Sequence, residues 1–351
     1  MLTYRNITFL SLLLSSIFFI ATILSALALA SFLPSIVQNI EEAKNKQSVI
    51  TPTDTKSEPA HLLFIGDIML ARGVEWQIAK HSIEYPLIDI TEYLSTPDLT
   101  IGNFEGTIRN ETNQEMDGFT FDTTPEIANM IAKSGIDVVS LSNNHSDNYG
   151  SETLEYTRET ITELGMTPFG DPNSSENLVS HVTVKDIQFA FIGFHAFTEE
   201  PESILNTIRS EKTKGNFVII FPHWGNEYEE TPSIAQTEAA YLFVDAGADA
   251  IIGSHPHVIQ TYETYKGIPI VYSLGNFLFD QDWSVPTQQG LTLKFDIDSE
   301  SISLSFVPIS IIKSHVTLMN PDDATKILTN HNIPSTLKIS RLINQNTQAP
   351  Q

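Results

Sequence analysis

Gly247-Ala248-Asp249-Ala250-Ile251-Ile252-Gly253-Ser254-His255-Pro256-His257 is the stretch on which the reading of this chain turns. Ala250–Ile252 is a short apolar run of the kind that forms a buried parallel strand. It stops at Gly253, and two histidines flanking one proline follow in the loop. Pro256 has a fixed φ and biases His255 toward an extended backbone, so the two imidazoles are presented stiffly as candidate metal ligands. A lone His-x-His also occurs in ordinary surface loops. Its meaning depends on whether other strand ends supply further ligands.

Working outward, the same form recurs. Leu62–Ile65, Leu99–Ile101, Val138–Leu141, Phe189–Ile192, Phe217–Phe221 and Ile268–Leu274 are short apolar runs that end abruptly in Gly, Asn or His, as buried strands do. Helical patterns lie between several of them. Thr124-Pro125 opens one helix, which Gly135 ends; Leu154, Ile161 and Leu164 mark the inner face of another, which Gly165 ends. Thr231 before Pro232 reads as the cap of a third, with Ala235, Ala239, Leu242, Phe243 and Ala246 on its buried face and Gly247 as its stop. Strands alternating with helices predict an α/β fold with a largely parallel or mixed sheet, whose sites form beyond the carboxyl ends of the strands. After Gly290 the alternation of Leu291, Leu293, Phe295 and Ile297, then Ile302, Leu304 and Phe306, predicts two antiparallel strands. Beyond about Lys313 the signals weaken. The domain is read as 61–313, with 314–351 a C-terminal extension, partly disordered, that ends in a frayed tail over Asn344–Gln351.

Upstream of the domain, Asn6 to Ile40 carries no charge, and Phe9–Leu33 is long and apolar enough to span a bilayer as a helix. Arg5 and the amino terminus precede it, which predicts a cytoplasmic N-terminus, a single-pass anchor within 1–40 and an extracytoplasmic domain. The alternative is a secreted protein, because Ala28-Leu29-Ala30 has the small-x-small form of a signal-peptide cleavage site. Residues 41–60, polar and without period, read as a linker. The 351 residues carry 43 acidic against 19 basic side chains, a net charge of −24, which argues against nucleic acid as a partner. With no cysteine in the chain, a metal must be held by nitrogen and oxygen donors.

Four other strand ends supply such donors: Gly66-Asp67, Gly102-Asn103-Phe104-Glu105-Gly106, Ser142-Asn143-Asn144-His145-Ser146-Asp147, and Pro222-His223-Trp224-Gly225. Each alone has an ordinary reading as a turn, cap or rim residue. Together with His255 and His257 they place Asp, Glu, Asn and His donors on one sheet edge. That set suits one or two divalent ions of the Mn, Fe or Zn kind rather than Mg or Ca.

In order and form, GD, NFEG, NNH, HWG and HPH, followed by YSLGNFLFDQ, resemble the CapA family of poly-γ-glutamate capsule proteins, a branch of the calcineurin-like metallophosphoesterases. The resemblance covers about residues 61–282. It implies a four-layer sandwich of two packed mixed β-sheets flanked by helices, in a bacterial envelope protein. It also implies that Glu105, Asn144, His223 and His255 surround one ion, that Asp67, Glu105 and His257 surround another, and that His145 protonates the leaving group. The wider superfamily has Asp-x-His in its first motif, whereas here Ile68 and Met69 follow Asp67. The position built on Asp67 and His257 is therefore expected to bind more weakly and to be partly empty or finished by water.

Asp147 is a candidate orienter of the His145 ring or a cap for the helix near Ser151, and Arg72 and Arg109 are candidates to meet an anionic substrate group. His195, at another strand end, reads as a satisfied core or rim histidine or as a replacement for the missing ligand. Asn276 and Asp280 read as loop supports behind the site. The expected function is a membrane-anchored, metal-dependent hydrolase or phosphoesterase acting on a phosphoester or an anionic polymer, with other capsule synthesis proteins as partners. The alternative is a non-catalytic, structural or polymer-binding component of the capsule machinery.

Overall fold

The structure, a computed structural model, describes residues 58–110, 120–173, 178–298 and 301–340, together with Pro34 and Gln38. The expected anchor helix, almost all of the linker and the Asn344–Gln351 tail lie outside the described residues. Among those described, no helix is long and apolar enough to cross a membrane. The chain divides into residues 1–56 and 57–351, and everything below belongs to the second unit.

Two mixed sheets form its centre. The first has the order His315–Leu318, Ser301–Ile312, Gln289–Ile297, Ala60–Ile68, Leu99–Phe104, Val138–Ser140, Thr167–Phe169, with Asn276–Leu278 added beside Ala60–Ile68 and Thr336–Ser340 beside Ser301–Ile312. The second runs Tyr262–Tyr265, Ile268–Val271, Ala250–Ile252, Phe217–His223, Ile187–His195, Val179–Val184. Strands buried on both faces explain the unbroken apolar runs. Along the first strand Leu62 and Phe64 enter the core between the sheets, while Leu63 and Ile65 pack under helices, as the two-residue period requires. Phe189, Phe191, Phe217 and Phe221 meet Leu62 and Phe64 from the second sheet. The outer face of the first sheet is covered by Arg72–Lys80, Pro125–Lys133 and Ser151–Glu163, through Val74, Ile127, Ile131, Leu154 and Ile161. The outer face of the second is covered by Leu205–Thr213 and Ile234–Ala246, through Ile208, Ala239, Ala240, Phe243 and Val244. The layers are therefore helix, sheet, sheet, helix.

Three local expectations change. The helix after Thr231 starts at Ile234 and is capped by Ser233, whose side chain and that of Gln236 form a capping box; Pro232 stands outside it. Its buried face is correspondingly rotated: Ala240 and Val244 are inside, whereas Leu242 is exposed. The segment after Lys313 belongs to the sheet: His315–Leu318 and Thr336–Ser340 pair antiparallel with Ser301–Ile312, and Ile327, Leu328 and Ile333 enter the core between the sheets. Its short strands and ten-residue helix, Pro321–Asn330, are too brief for periodicity to stand out.

Candidate metal centre

The parallel strands of both sheets end at the same edge, and their terminal side chains meet. Gly66 is required there, because a Cβ on it would lie 1.8 Å from the Gly275 carbonyl oxygen. That close approach puts Asp67 beside Asn276 in parallel register. Asp67 Oδ1 accepts from Asn103 Nδ2 at 2.8 Å, and Oδ2 accepts from the His255 backbone N–H at 3.2 Å. Asn103 and Glu105, two apart on one strand edge, share a direction, and Glu105 is fully buried.

His257 approaches from the opposite sheet. Its Nδ1 lies 3.0 Å from Asn276 Oδ1 and 3.3 Å from Asp67 Oδ2, and its Nε2 lies 3.7 Å from Glu105 Oε1. Because Asn276 Nδ2 donates to Gln281 Oε1 and to the Thr287 carbonyl, its Oδ1 is an acceptor, so His257 donates through Nδ1 and turns Nε2 to Glu105. One ligand atom from each of Asp67, Glu105 and His257 lies within 4.8 Å of the other two. This is the half of the site expected to be depleted, yet among the described residues it is the one group of three His, Asp or Glu ligand atoms that come this close.

The other half gathers two imidazoles and an amide instead of a triad with carboxylates. His223 Nε2 lies 2.8 Å from Asn144 Oδ1, and the His223 and His255 rings are 4.6 Å apart. His255 and His257 have φ of 97° and 59°. The extended backbone expected of His255 is therefore replaced by a left-handed one, whose cost, of order 1–3 kcal/mol, is held in place by the surrounding bonds. The His255 N–H is spent on Asp67, and the Pro256 carbonyl accepts from the Tyr228 N–H.

Burial and charge set the protonation. Burial, with Asp67 adding and His257 opposing, pushes Glu105 up to about 8. Burial pulls His257 down, but Glu105 and Asp67 outweigh it and raise the ring to about 9. Burial takes His145 down to about 4 and His255 to about 3, and it holds His223 well below its usual range.

His145 Nε2 faces Glu105 Oε1 at 3.8 Å, while Nδ1 lies 3.0 Å from Asn148 Oδ1 and the ring stacks on Phe121 at 3.8 Å. Asn148, not Asp147, therefore orients the ring. Asp147 accepts from Asn173 Nδ2 at 2.6 Å, and the helix at Ser151 has Gly150 at its cap position with no side-chain cap. Asn143 is scaffold: its amide donates to Asn103 Oδ1 and the Phe104 carbonyl, and its Oδ1 accepts from the His145 N–H. Arg72 packs over Phe121 at 4.5 Å and Phe279 at 5.8 Å, and it donates to Asp280 Oδ1, while Asp280 Oδ2 accepts from the Gly73 N–H at 2.9 Å. Asp280 is thus a clamp on Arg72. Arg109 is turned toward Asp122 and lies 4.0 Å over the Tyr149 ring.

The residues fit a divalent ion. Glu105 Oε1 and His255 Nδ1 are buried with no hydrogen-bond partner; Glu105 Oε1 has only the 3.7 and 3.8 Å contacts to the His257 and His145 rings, and a buried acceptor so placed is costly unless a cation meets it at closer range. Residues 61–281 match the family described as Bacterial capsule synthesis protein PGA_cap. The chain is similar to the Capsule biosynthesis protein CapA of Bacillus anthracis, 30% identical over 84% of this chain and 76% of that one. It is also similar to the PGA biosynthesis protein CapA of Bacillus subtilis, 29% identical over 63% of each. Among solved structures it is similar to TT1561 of Thermus thermophilus, with 8% identity, a TM-score of 0.40, and coverage of 75% of this chain and 99% of that one. With its motifs carried on this edge and the family match spanning every one of them, the chain belongs to the CapA family of bacterial capsule synthesis proteins.

Proposed function

We propose that the protein works outside the cytoplasm, held by its N-terminal segment, in capsule or poly-γ-glutamate synthesis or export as a divalent-metal-dependent hydrolase or phosphoesterase. The observation that carries the reading is Glu105 Oε1, buried without a hydrogen-bond partner and facing both His257 Nε2 at 3.7 Å and His145 Nε2 at 3.8 Å. Asp67, Glu105 and His257, with Asn144, His223 and His255, would hold one or two ions. Bound there, a divalent ion supplies activated water near neutral pH and neutralises charge on the reacting oxygen. His145, oriented by Asn148, is placed to hold a proton on Nε2 for the leaving group. Its ring is neutral in the ion-free protein, so the proton is retained only when an anionic substrate group beside the ring raises its pKa. Arg72, held by Asp280, supplies the positive charge for such a group in a chain of net charge −24.

The test is turnover of aryl phosphates and of poly-γ-glutamate with added Mn by wild type and by His145→Ala. Wild-type turnover that falls at least about 100-fold in the variant supports the reading. An ion-loaded wild type that turns over nothing points instead to a non-catalytic component of the capsule machinery.

A further inference from the structure

His195 closes the Ile187–His195 strand directly beside His223 in parallel register, with ring centroids 5.9 Å apart. Its Nδ1 lies 2.9 Å from Thr198 Oγ1. The Thr198 hydroxyl has one proton, which it donates to the Pro172 carbonyl at 2.8 Å, so Oγ1 accepts from His195 Nδ1–H. The lone pair of the neutral ring is thereby assigned to Nε2. That atom is buried, has no hydrogen-bond partner, and belongs to a residue only 3% exposed. A histidine serving only as core would leave this acceptor unmet, at a cost of about 1–3 kcal/mol. His255 Nδ1, across His223, is unmet in the same way. The Phe197 ring stands against both, 5.5 Å from His195 and 4.7 Å from His255.

We propose that His195 Nε2 is a further ligand of the ion on the His223 and His255 side, and that Thr198 is its positioning residue. The proposal rests on the metal-dependent reading above. Imidazoles sharing an ion at about 2.1 Å have ring centroids roughly 5 Å apart, and the separations of 4.6 and 5.9 Å about His223 bracket that value. A hydroxyl holding the far nitrogen of a ligating imidazole is the arrangement that fixes its tautomer and aim. The His223 and His255 half of the centre thus gains a third imidazole from a strand end that none of the recognised motifs includes.

The full chain, stripped with chelator and reloaded with Co2+, tests this as wild type, His195→Ala and Thr198→Val, read by ion count in mass spectrometry and by the visible Co2+ spectrum. His195→Ala should lose about one ion per chain or bind it more than about tenfold more weakly. Thr198→Val, at an exposed position that leaves the core intact, should weaken the same ion by about 10–100-fold and alter the spectrum. Should His195→Ala not fold, Thr198→Val decides. Wild-type ion content, affinity and spectrum in Thr198→Val, or in a folded His195→Ala, would overturn this proposal alone. A wild type that takes up no Co2+ would overturn the metal reading with it.

Discussion

Asn103 touches three site residues: its amide donates to Asp67 Oδ1 at 2.8 Å and lies 3.4 Å from Glu105 Oε2 and 3.3 Å from His223 Nδ1. With Asn148 behind His145 and Asn276 behind His257, it belongs to a set of amides that orient the site's reactive and ion-holding side chains. The i, i+2 spacing of Asn103 and Glu105 was a visible signal for the first of these. Asn276 reads from the sequence as a loop support behind the site, as its bonds to His257, Gln281 and Thr287 bear out, whereas nothing local marks Asn148. At this scale the protonation also makes a prediction. Around neutral pH the Glu105–His257 pair retains a proton, with Glu105 at about 8 and His257 at about 9, which an incoming ion must displace. Ion affinity measured calorimetrically should therefore rise about tenfold per pH unit between pH 6 and 8. The stability of the ion-free protein should move the other way. His257, raised above its unfolded value, stabilises fully below about 6.5 and loses that contribution as pH rises through 9; Glu105, likewise raised, is increasingly penalised between about 4.5 and 8. A melt of chelated protein that is higher at pH 9 than at pH 6 would contradict the pairing.

At the level of elements, the site depends on the junction where the Ala60–Ile68 strand turns into the Arg72–Lys80 helix. Arg72 begins that helix at φ 52°, an unfavourable conformation for a side-chain-bearing residue. Asp280 stabilises it by binding the guanidinium with one oxygen and the next backbone N–H with the other, and Gly73 leaves room, since a Cβ there would lie 2.6 Å from that of Asp280. Asp280→Ala should release Arg72 and raise KM for an anionic substrate about tenfold or more while lowering kcat less, because the ion ligands are untouched. A fall in kcat and kcat/KM by the same factor, with KM and ion content unchanged, would show instead that Arg72 acts only in the transition state. The strands were readable because apolar runs buried on both faces have few alternatives, and the Thr124 cap because Pro125 follows it. The Ser233 cap was missed by two residues, because Thr231-Pro232 offers the same local chemistry and only the Gln236 side chain decides between them.

For the whole molecule, the core between the sheets is closed by chain beyond Lys313. Truncation after Lys313 removes Ile327, Leu328 and Ile333 from that core and two of the three antiparallel partners of Ser301–Ile312, leaving only Gln289–Ile297. Losing three buried aliphatic side chains costs about 1.5–3 kcal/mol each, so the truncated protein should melt more than about 10 °C lower or be recovered insoluble. Melting unchanged from wild type would mean that these elements add no stability. By itself the sequence determined the donor inventory, the absence of thiolate, the parallel strands whose ends carry the donors, and the family, because these are properties of residue type and short-range order. Which donors face one another, which ring nitrogen keeps its lone pair, and where strained backbone is tolerated were decided only by tertiary structure. Those properties depend on partners such as Asn103 with His223 and Asp67 with His255, 120 and 188 residues apart, which meet only when two sheets pack edge over edge.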